Sequence, residues 1–506
     1  MQILIMVINL KNRPNKNDDN VLNIENIKNN LNIGSDIKFR EVMINNKNNM
    51  IANLVYIDGL VNSTDISDFL IKPLISSNEI KNFDNLVQVF EYVKNGHLFD
   101  SSQKTETDLN TVLQEIISGG VAIIFEVNNS AIIFDMKKFE RRSITEPSVE
   151  NATKGPKDSF VEDFRTNTVI LRRKIKSKDL AMDPMVIGKQ TNTPIAIVYM
   201  RNIVNDRLVE QVKQRLEKIN PDKILSTAII EDTLSDDVNS PFPQVVSTER
   251  PDKFCADLLE GRVGIVVDGI PFGFIVPGTF IQFMQTPEDY SRKSIVSTLI
   301  RIIRFASLVI SLLLPALYIA VTTLHPEMMP TNLALFIAKS RAGVTFPIQI
   351  ETIIMLLAFE ILFEAGIRIP KTAGQAVSIV GTLVVGQAAV AAKLLSPAVV
   401  VIIAATSIAS FAMPNQDFSN AIRIWRFIFV ILSSILGLIG IVIAIIVFVF
   451  EICKLETYGI SYMSPFVSNN FNDVAYDTIA RVPVSKNINR PSSLQQKNKV
   501  RYGVKK

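Results

Sequence analysis

Residues from about 303 to 452 are mostly apolar, whereas residues 1–300 have the composition of an ordinary soluble protein. About 20 consecutive apolar residues are enough to cross the hydrocarbon core of a bilayer. Four runs approach or exceed that length, and they cover 303–324, 374–394, 396–413 and 421–452. The pattern excludes a single soluble globule and predicts a large soluble N-terminal region followed by a polytopic helical membrane domain of about four to six spans.

A fifth apolar run, PIQIETIIMLLAFEILFEAGI, contains Glu351, Glu360 and Glu364. A charged side chain at the bilayer centre costs about 2.5–3.5 kcal/mol on insertion scales. The run therefore lies in the membrane interface, or its glutamates face water or protein. They would form either a vestibule that attracts cations or ion pairs, and we favour ion pairs because buried carboxylates usually have partners. The candidate partners are Lys339, Arg341 and Arg368.

Basic residues cluster on both sides of the apolar region. They are Arg292, Lys293, Arg301 and Arg304 before it, and Arg481, Lys486, Arg490, Lys497, Lys499, Arg501, Lys505 and Lys506 after it. The positive-inside rule places both flanks in the cytoplasm, which requires an even number of crossings. Four crossings with an interfacial helix satisfy this, as do six with the NLALFIA region included, and we expect four. The apolar stretch near residue 1 is too short for a span and lacks the features of a signal peptide.

The soluble region carries the same order of predicted elements twice. Val55-Tyr56 corresponds to Val198-Tyr199, an offset of 198 − 55 = 143, and Val121 corresponds to Val263, an offset of 263 − 121 = 142. Two segments that agree within one residue indicate an internal duplication. We therefore predict two related α/β subdomains, each a sheet with helices packed on it.

These patterns divide the chain into six parts. They are a poorly ordered segment (1–34), a first α/β subdomain (35–140), a helical connector (141–180), a second α/β subdomain (181–290), a transmembrane domain (291–455) and a basic cytoplasmic tail (456–506) that is disordered at its end.

The predicted connector is rich in both acidic and basic residues. Phe160, Phe164 and Ile170 have helical spacing, which predicts a helix. The simpler interpretation is a solvent-exposed helix stabilised by salt bridges. The more specific interpretation is a structured connector that contacts a neighbouring subunit. The candidate contact residues are Arg141, Arg142, Arg172 and Arg173.

The soluble region lacks the motifs of an enzyme. We find no Ser/His/Asp set, paired catalytic carboxylates, P-loop or GxGxxG. Asp268, in VVDGIPF, is best explained by a hairpin turn, because Asp-Gly favours such turns and the duplicated position reads EVNNS. Two cysteines and two histidines lack metal-ligand spacing, and a net charge of +4 is too small to indicate nucleic acid. We therefore expect no enzymatic activity, cofactor, metal or nucleic-acid partner.

The apolar segment GQAVSIVGTLVVGQAAVAAK, residues 374–393, holds unusually many small and polar residues. At about 100° per residue, one face of a helix carries mainly small or polar side chains and the other bulky ones. The small or polar face contains Gly374, Gln375, Ser378, Thr382 and Gly386. Small faces let helices approach closely, whereas hydroxyls and amides can line an ion path. A packing seam and a pore face both remain open, and Gln387 fits neither.

Four long stretches have distinctive sequences. They are SPFPQVVSTERPDKFCADLLEGRVGIVVDGIPFGFIVPGTFIQFMQTPEDY, HPEMMPTNLALFIAKSRAGVTFP, FEILFEAGIRIPKTAGQAVSIVGTLVVGQAAVAAKLLSP and GPKDSFVEDFRTNTVILRRKIK. These stretches closely resemble the A subunits of spore germinant receptors, the GerA family. The resemblance extends from about residue 35 to residue 481.

The resemblance implies a protein of the spore inner membrane whose N-terminal domain is cytoplasmic. It implies a transporter-like B subunit and a C-subunit lipoprotein as partners, and a homo-oligomer, a pentamer, that forms a nutrient-gated ion channel. The alternatives are a secondary transporter acting alone and a membrane-anchored scaffold without its own pore. Few predicted spans and no inverted repeat in the membrane region argue against the transporter.

Overall fold

The computed structural model describes residues 21–31, 36–44, 50–98, 102–137, 147, 150, 154–218, 221–368, 386–467 and 477–501. Within these residues, two antiparallel sheets with accompanying helices are followed by a region of long helices. An α/β part followed by a helical part is the order that the sequence predicts.

The first subdomain contains one five-stranded sheet. Its strands are β1 (Ile37–Met43), β2 (Ile51–Ile57), β3 (Gln103–Glu106), β4 (Val121–Phe125) and β5 (Ser130–Phe134). Its helices are α1 (Ile24–Leu31), α2 (Ser63–Ile66, continued by a π-helical turn Ser67–Ile71 and by Lys72–Ser76), α3 (Leu86–Lys94) and α4 (Leu109–Ile117). The strand order is β1-β2-β4-β5-β3. Strands β4 and β5 are buried at every position, so both faces of the sheet are covered.

The second subdomain contains a sheet of the same size. Its strands are β6 (Leu180–Ile187), β7 (Thr193–Met200), β8 (Val246–Thr248), β9 (Val263–Val267) and β10 (Gly273–Val276). The helices of this part are α5 (Phe164–Lys174), α6 (Asp206–Lys218), α7 (Thr227–Leu234), α8 (Pro251–Leu259), α9 (Phe280–Phe283) and α10 (Pro287–Ser291). The strand order, β6-β7-β9-β10-β8, repeats that of the first sheet.

The two sheets also share their register. Val55 lies opposite Ala122 in the first sheet, and Val198 lies opposite Gly264 in the second. These pairs are related by 198 − 55 = 143 and 264 − 122 = 142 residues, the offsets found in the sequence. Because a slip of one residue would turn every side chain to the other face, an equal register supports the predicted duplication more strongly than element order does.

The connector helix α5 is shorter than the predicted connector. It begins after Asp163, whose carboxylate caps the helix by accepting a hydrogen bond from Thr166 N at 2.8 Å. Phe160, which the sequence places on this helix, precedes it and packs edge-on against Phe254. Asp268 lies between β9 and β10 and accepts a hydrogen bond from Phe164 N at 3.2 Å, which is consistent with its predicted place in a turn.

In the part of the chain that the structure describes, the helical region contains six helices of ten residues or more. They are α11 (Ser294–Ile319, continued by a π-helical turn Ala320–Leu324), α12 (Thr331–Ser340), α13 (Ile348–Arg368), α14 (Pro397–Phe411), α15 (Gln416–Leu436) and α16 (Leu438–Lys454). Residues 386–391 are also helical. Among the described residues, 294–324 and 416–436 form helices long and apolar enough to cross a membrane, by length and composition.

The predicted run 421–452 is not one helix. It is divided between α15 and α16 at Gly437, which has φ +62° and ψ −133°, a conformation that glycine adopts far more readily than other residues. The two helices fold back on each other, and Trp425 and Phe429 of α15 contact Phe448 of α16 at 5.2 and 6.1 Å between ring centroids. The sequence missed this break because one glycine within an apolar run is not a strong helix stop.

An aromatic cluster joins the helical region to the second subdomain. Phe242 and Phe280 of the second subdomain contact Phe418 of α15 at 6.1 and 5.4 Å, and Phe242 contacts Phe448 at 5.9 Å. We call the end of the helical region that bears this cluster the proximal end. The opposite end, where Gly437 approaches His325, is the distal end.

The chain returns to the second subdomain after α16. A two-stranded ribbon, β11 (Glu456–Thr457) and β12 (Ile460–Ser461), follows that helix. Tyr462 then packs against Phe242 and Phe283 at ring distances of 6.2 and 6.1 Å. Residues 477–501 of the predicted basic tail are also described, whereas 502–506, where the predicted disorder falls, lie outside the described residues.

Candidate functional site

The predicted small and polar face lies mostly outside the described residues. This applies to Gly374, Gln375, Ser378 and Thr382. Gly386 is described and buried, and a Cβ built on it would lie 3.7 Å from Val400 Cγ1 of α14. Gly386 therefore faces a helix of its own chain, while Gln387 beside it is exposed. The choice between a packing seam and a pore face stays a prediction.

Glu351 lies at the distal end and is fully buried. Its carboxylate accepts a hydrogen bond from Arg341 at 3.1 Å and another from the backbone N–H of Ser396 at 2.8 Å. The first contact holds the segment after α12, and the second holds the N-terminus of α14. One carboxylate therefore ties three parts of the chain together and is compensated by a positive charge, as a buried carboxylate requires.

Glu360 lies nearer the proximal end of α13 and faces two arginines of α15. The distances from its carboxylate are 3.5 Å to Arg423 Nη1 and 3.8 Å to Arg426 Nη1. Arg426 is 2 % exposed and also donates hydrogen bonds to the backbone oxygen and hydroxyl of Ser311, at 2.8 and 2.6 Å. The guanidinium of Arg423 stacks 3.7 Å from the ring centroid of Phe363. Three helices thus meet at one charged cluster.

The partners of Glu360 differ from those named as candidates in the sequence. Arg423 is 63 residues further along the chain, so no local spacing connects the two. The sequence did contain one indication of these partners, since both Arg423 and Arg426 interrupt the otherwise apolar run 421–452. A charge inside such a run marks either a functional position or an ion pair. Glu364 lies one turn beyond Glu360 and has an exposed side chain.

A second charged cluster joins α11 to the second subdomain. The carboxylate of Asp289 lies 3.1 Å from Arg301 and 2.7 Å from Arg304, and Asp289 and Arg301 are each 1 % exposed. Arg301 also pairs with Asp477 at 3.0 Å. Burial acts to raise the pKa of Asp289, but the hydrogen bonds and charges of Arg304 and Arg301 outweigh it and hold that pKa below its ordinary value. Arg301 and Arg304, which the sequence marks only as flanking positive charges, are buried ion-pair partners.

The candidate subunit-contact arginines occupy different environments. Arg172 is 2 % exposed, forms two hydrogen bonds with Asp36 at 2.7 and 3.1 Å, and donates a third to Leu180 O at 2.9 Å. It therefore joins the first subdomain to the start of β6 within the chain, and the contact of these arginines with a neighbouring subunit stays a prediction. Arg173 is exposed, and Arg141 and Arg142 lie outside the described residues.

Comparison with known proteins identifies the family. Residues 25–493 match the family model described as Bacillus/Clostridium GerA spore germination protein. The chain belongs to the GerA family. It is 40 % identical over 481 residues to spore germination protein KA of Bacillus subtilis (strain 168), covering 95 % of this chain and 88 % of that protein. It is 34 % identical over 464 residues to spore germination protein GerLA of Bacillus cereus, covering 92 % and 93 % of the two chains.

A solved structure also matches about half of this GerA-family chain. It is the N-terminal domain of the A subunit of the Bacillus megaterium spore germinant receptor GerK3. The identity is 32 %, the TM-score is 0.40, and the match covers 52 % of this chain and 97 % of that domain. A role in spore germination, as part of a germinant receptor, follows from membership of the family.

Proposed function

We propose that this GerA-family chain is the membrane subunit of a nutrient germinant receptor and oligomerises, as a pentamer, into a nutrient-gated ion channel that triggers germination. The observation that carries the proposal is the cluster of Glu360, Arg423 and Arg426 between apolar helices. Helices that merely anchor a scaffold need no buried charges, and such charges are costly in a membrane. Their presence favours a helical region that does more than anchor.

The proposed channel is embedded in the spore inner membrane with its N-terminal domain in the cytoplasm. Its partners are the transporter-like B subunit and the lipoprotein C subunit of the same receptor. In this arrangement the B subunit binds the nutrient and the chain described here conducts the ion. We propose a non-enzymatic role, which agrees with the lack of catalytic motifs in the sequence.

We further propose six crossings rather than four. Helices α11 and α15 start at the proximal end, beside Met284 and Phe242, and reach the distal end. Helices α13 and α14 both start at the distal end, where Glu351 meets Ser396, and their later residues Phe363 and Phe411 stack at 5.5 Å. Helix α16 returns from Gly437 to the aromatic cluster. Helix α13 ends at Arg368, towards the proximal end, and Lys393 O at the distal end accepts a hydrogen bond from Thr345 N. We count the sixth crossing from these two described positions.

Reconstitution of the chain with its B and C partners in liposomes tests the function. We expect ion flux that begins only on addition of a nutrient and that decreases in the Ser378→Leu and Thr382→Leu variants while the complex still assembles. A matched control is Val401→Leu, at an exposed apolar position of α14. Flux that persists unchanged in both leucine variants contradicts the pore assignment. Nutrient uptake by the chain alone would instead indicate a transporter, and no flux from an assembled complex would indicate a scaffold.

A further inference from the structure

Residues 488–501 form a closed loop, which we call the strap. Its two ends pair at Asn489 and Val500 in an antiparallel bridge. Two backbone hydrogen bonds close it, from Arg490 N to Lys499 O at 2.8 Å and from Arg501 N to Ile488 O at 2.7 Å. A segment with this many internal bonds has a defined shape and is not a random extension.

The strap docks on the second subdomain beside the ends of β7 and α8. Arg501 forms a bidentate pair with the carboxylate of Glu260, at 2.8 and 2.7 Å. Lys497 pairs with Asp206 at 2.6 Å, and its backbone N–H donates to Ile203 O at 2.9 Å. These contacts match basic side chains of the strap to acidic side chains and a carbonyl oxygen of the subdomain.

Gln496 completes the docking of the strap through a hydrogen bond to Glu260 and close packing on Gly261. Gln496 is 3 % exposed and donates to Glu260 O at 2.9 Å. Gly261 lies beneath it, and a Cβ on that residue would come within 2.5 Å of Gln496 Cγ. The lack of a side chain at this position lets the strap approach the subdomain closely. Leu494, at 1 % exposure, is the buried apolar side chain of the strap among the described residues.

The segment before the strap is attached to the first membrane helix. Asp477 pairs with Arg301 of α11 and accepts a hydrogen bond from Tyr290 at 2.8 Å. Arg481 N donates to the hydroxyl of Thr298 at 3.0 Å. Burial acts to lower the pKa of Arg501, but the hydrogen bonds and charge of Glu260, with a smaller contribution from the charge of Asp477, outweigh it and raise that pKa. Residues 477–501 therefore touch the start of α11 at one end and the end of α8 at the other.

We propose that the strap is a releasable coupling element between the second subdomain and the first membrane helix. Its docking depends mainly on charge-assisted and carbonyl hydrogen bonds at the surface, with little apolar burial. The exposed pair of Lys497 with Asp206 weakens as salt shortens the range of charge interactions, from about 10 Å at 0.1 M to about 3 Å at 1 M, whereas the partly buried pair of Arg501 with Glu260 is screened less. The anchors Gln496, Lys497 and Arg501 follow the residues matched by the family model, which end at 493. The strap is therefore a candidate for a control that differs between receptors.

Hydrogen exchange on the full-length chain in detergent tests the proposal. We expect Arg501→Glu to accelerate exchange across residues 488–501 by roughly tenfold or more, because a bidentate charged pair holds the loop closed. Exchange in residues 286–301 should also rise, since the strap anchors the C-terminal end of the segment whose Asp477 and Arg481 bond to that region. Raising the salt concentration from about 0.1 M to about 1 M should act in the same direction on the wild-type chain.

Charge-reversal variants distinguish release of the strap from misfolding of the chain. Glu260→Arg alone should also accelerate exchange, and the combined Glu260→Arg and Arg501→Glu variant should restore protection by re-forming the pair in the opposite sense. Lys499→Glu is the matched control, because its side chain is exposed, and it should exchange like the wild type. Unchanged exchange in the strap overturns the docking claim. A loosened strap with unchanged exchange in residues 286–301 overturns the coupling claim.

Discussion

Asp289 shows how one carboxylate fixes the attachment of helix α11 to the second subdomain. It is buried, and it accepts hydrogen bonds from Arg304 at 2.7 and 2.8 Å and from Arg301 at 3.1 Å. Two guanidinium groups held this close would repel each other without it. Because its pKa is lower than usual, its contribution to stability is complete above about pH 4 and is lost as the pH falls through the lowered value.

The Asp289→Asn variant should therefore lower the thermal stability of the detergent-solubilised chain substantially. Removal of one partner from a buried ion pair costs about 3–5 kcal/mol, because the remaining charge has no compensation. The control is Glu288→Gln in the same helix, whose partly exposed pair with Arg292 has a distance of 2.8 Å. A pair of that kind contributes about 1 kcal/mol or less. Equal decreases in melting temperature for the two variants would contradict the assigned role.

Glu231 of α7 has the opposite electrostatic environment. Burial, and then the charge of Asp417 at the start of α15, raise the pKa of this carboxyl to about 7, with a smaller contribution from Asp232, while a hydrogen bond with Ser247 acts against the rise. The folded chain therefore binds this proton more tightly than the unfolded chain does. Stability contributed by the protonated form declines as the pH rises from about 4.5 to about 7 and is constant above that.

Thermal unfolding measured between about pH 5 and about pH 8 tests this assignment. We expect the wild-type chain to lose more stability across that range than Glu231→Gln, whose amide keeps the hydrogen-bonding shape without the charge. Glu217→Gln is the control, because Glu217 is exposed on α6, and it should follow the wild-type profile. Parallel profiles for Glu231→Gln and the wild type would show that Glu231 does not titrate in this range.

The α15–α16 pair shows how far sequence patterns determine the elements. The duplicated strands and hairpins were predictable, since turn residues such as Asp268-Gly269 separate short apolar runs. The break at Gly437 was not, because nothing in the run 421–452 distinguishes a glycine that reverses the chain from one that packs within a helix. The partners of Glu360 were equally hidden, since helix packing, and not local spacing, brings α13 against α15.

Two glycines make this helical hairpin possible. Gly437 has a positive φ, and a Cβ on Gly440 would lie 2.1 Å from the carbonyl oxygen of Leu432. A backbone atom cannot move aside as a flexible side chain can. We expect Gly437→Ala and Gly440→Ala each to cost about 1–3 kcal/mol, from backbone strain and overpacking respectively. The measurement is thermal unfolding in detergent.

Gly366 provides the matched control for these substitutions. It lies in α13, another helix of the same region, and a Cβ on it would meet open space. Gly366→Ala should leave stability unchanged or raise it slightly, because alanine favours the helix by roughly 1 kcal/mol. If all three alanine variants behave alike, the tight turn between α15 and α16 is not a determinant of stability.

At the scale of the whole molecule, the second subdomain contacts both the first subdomain and the helical region. Arg172 links it to the first subdomain through Asp36, and Asp289 links it to α11. The aromatic cluster around Phe242 attaches α15 and α16. These charged and aromatic contacts give a change in the helical region a direct route to the second subdomain, and sequence spacing does not reveal them.

This arrangement makes a testable statement about topology. In the six-crossing proposal, the distal end bears Leu394 and the proximal end bears Gln416, because α14 runs from Ser396 at the distal end to Ser410 beside Ser419 at the proximal end. The four-crossing alternative reverses both positions, since its second span ends near 394 on the cytoplasmic side and its third ends near 413 on the outer side. One labelling experiment can therefore distinguish the two.

Single cysteines at these positions decide the topology when a membrane-impermeant maleimide is applied to intact and to permeabilised cells. The background carries Cys453→Ser, because Cys453 is exposed, whereas Cys255 is buried. We expect Leu394→Cys to react in intact cells and Gln416→Cys to react only after permeabilisation. In the proposed orientation, Met328→Cys and Lys499→Cys serve as markers of the distal side and of the cytoplasmic side, since both side chains are exposed. Labelling of Gln416→Cys in intact cells, with Leu394→Cys protected, would restore four crossings and make α13 an interfacial helix.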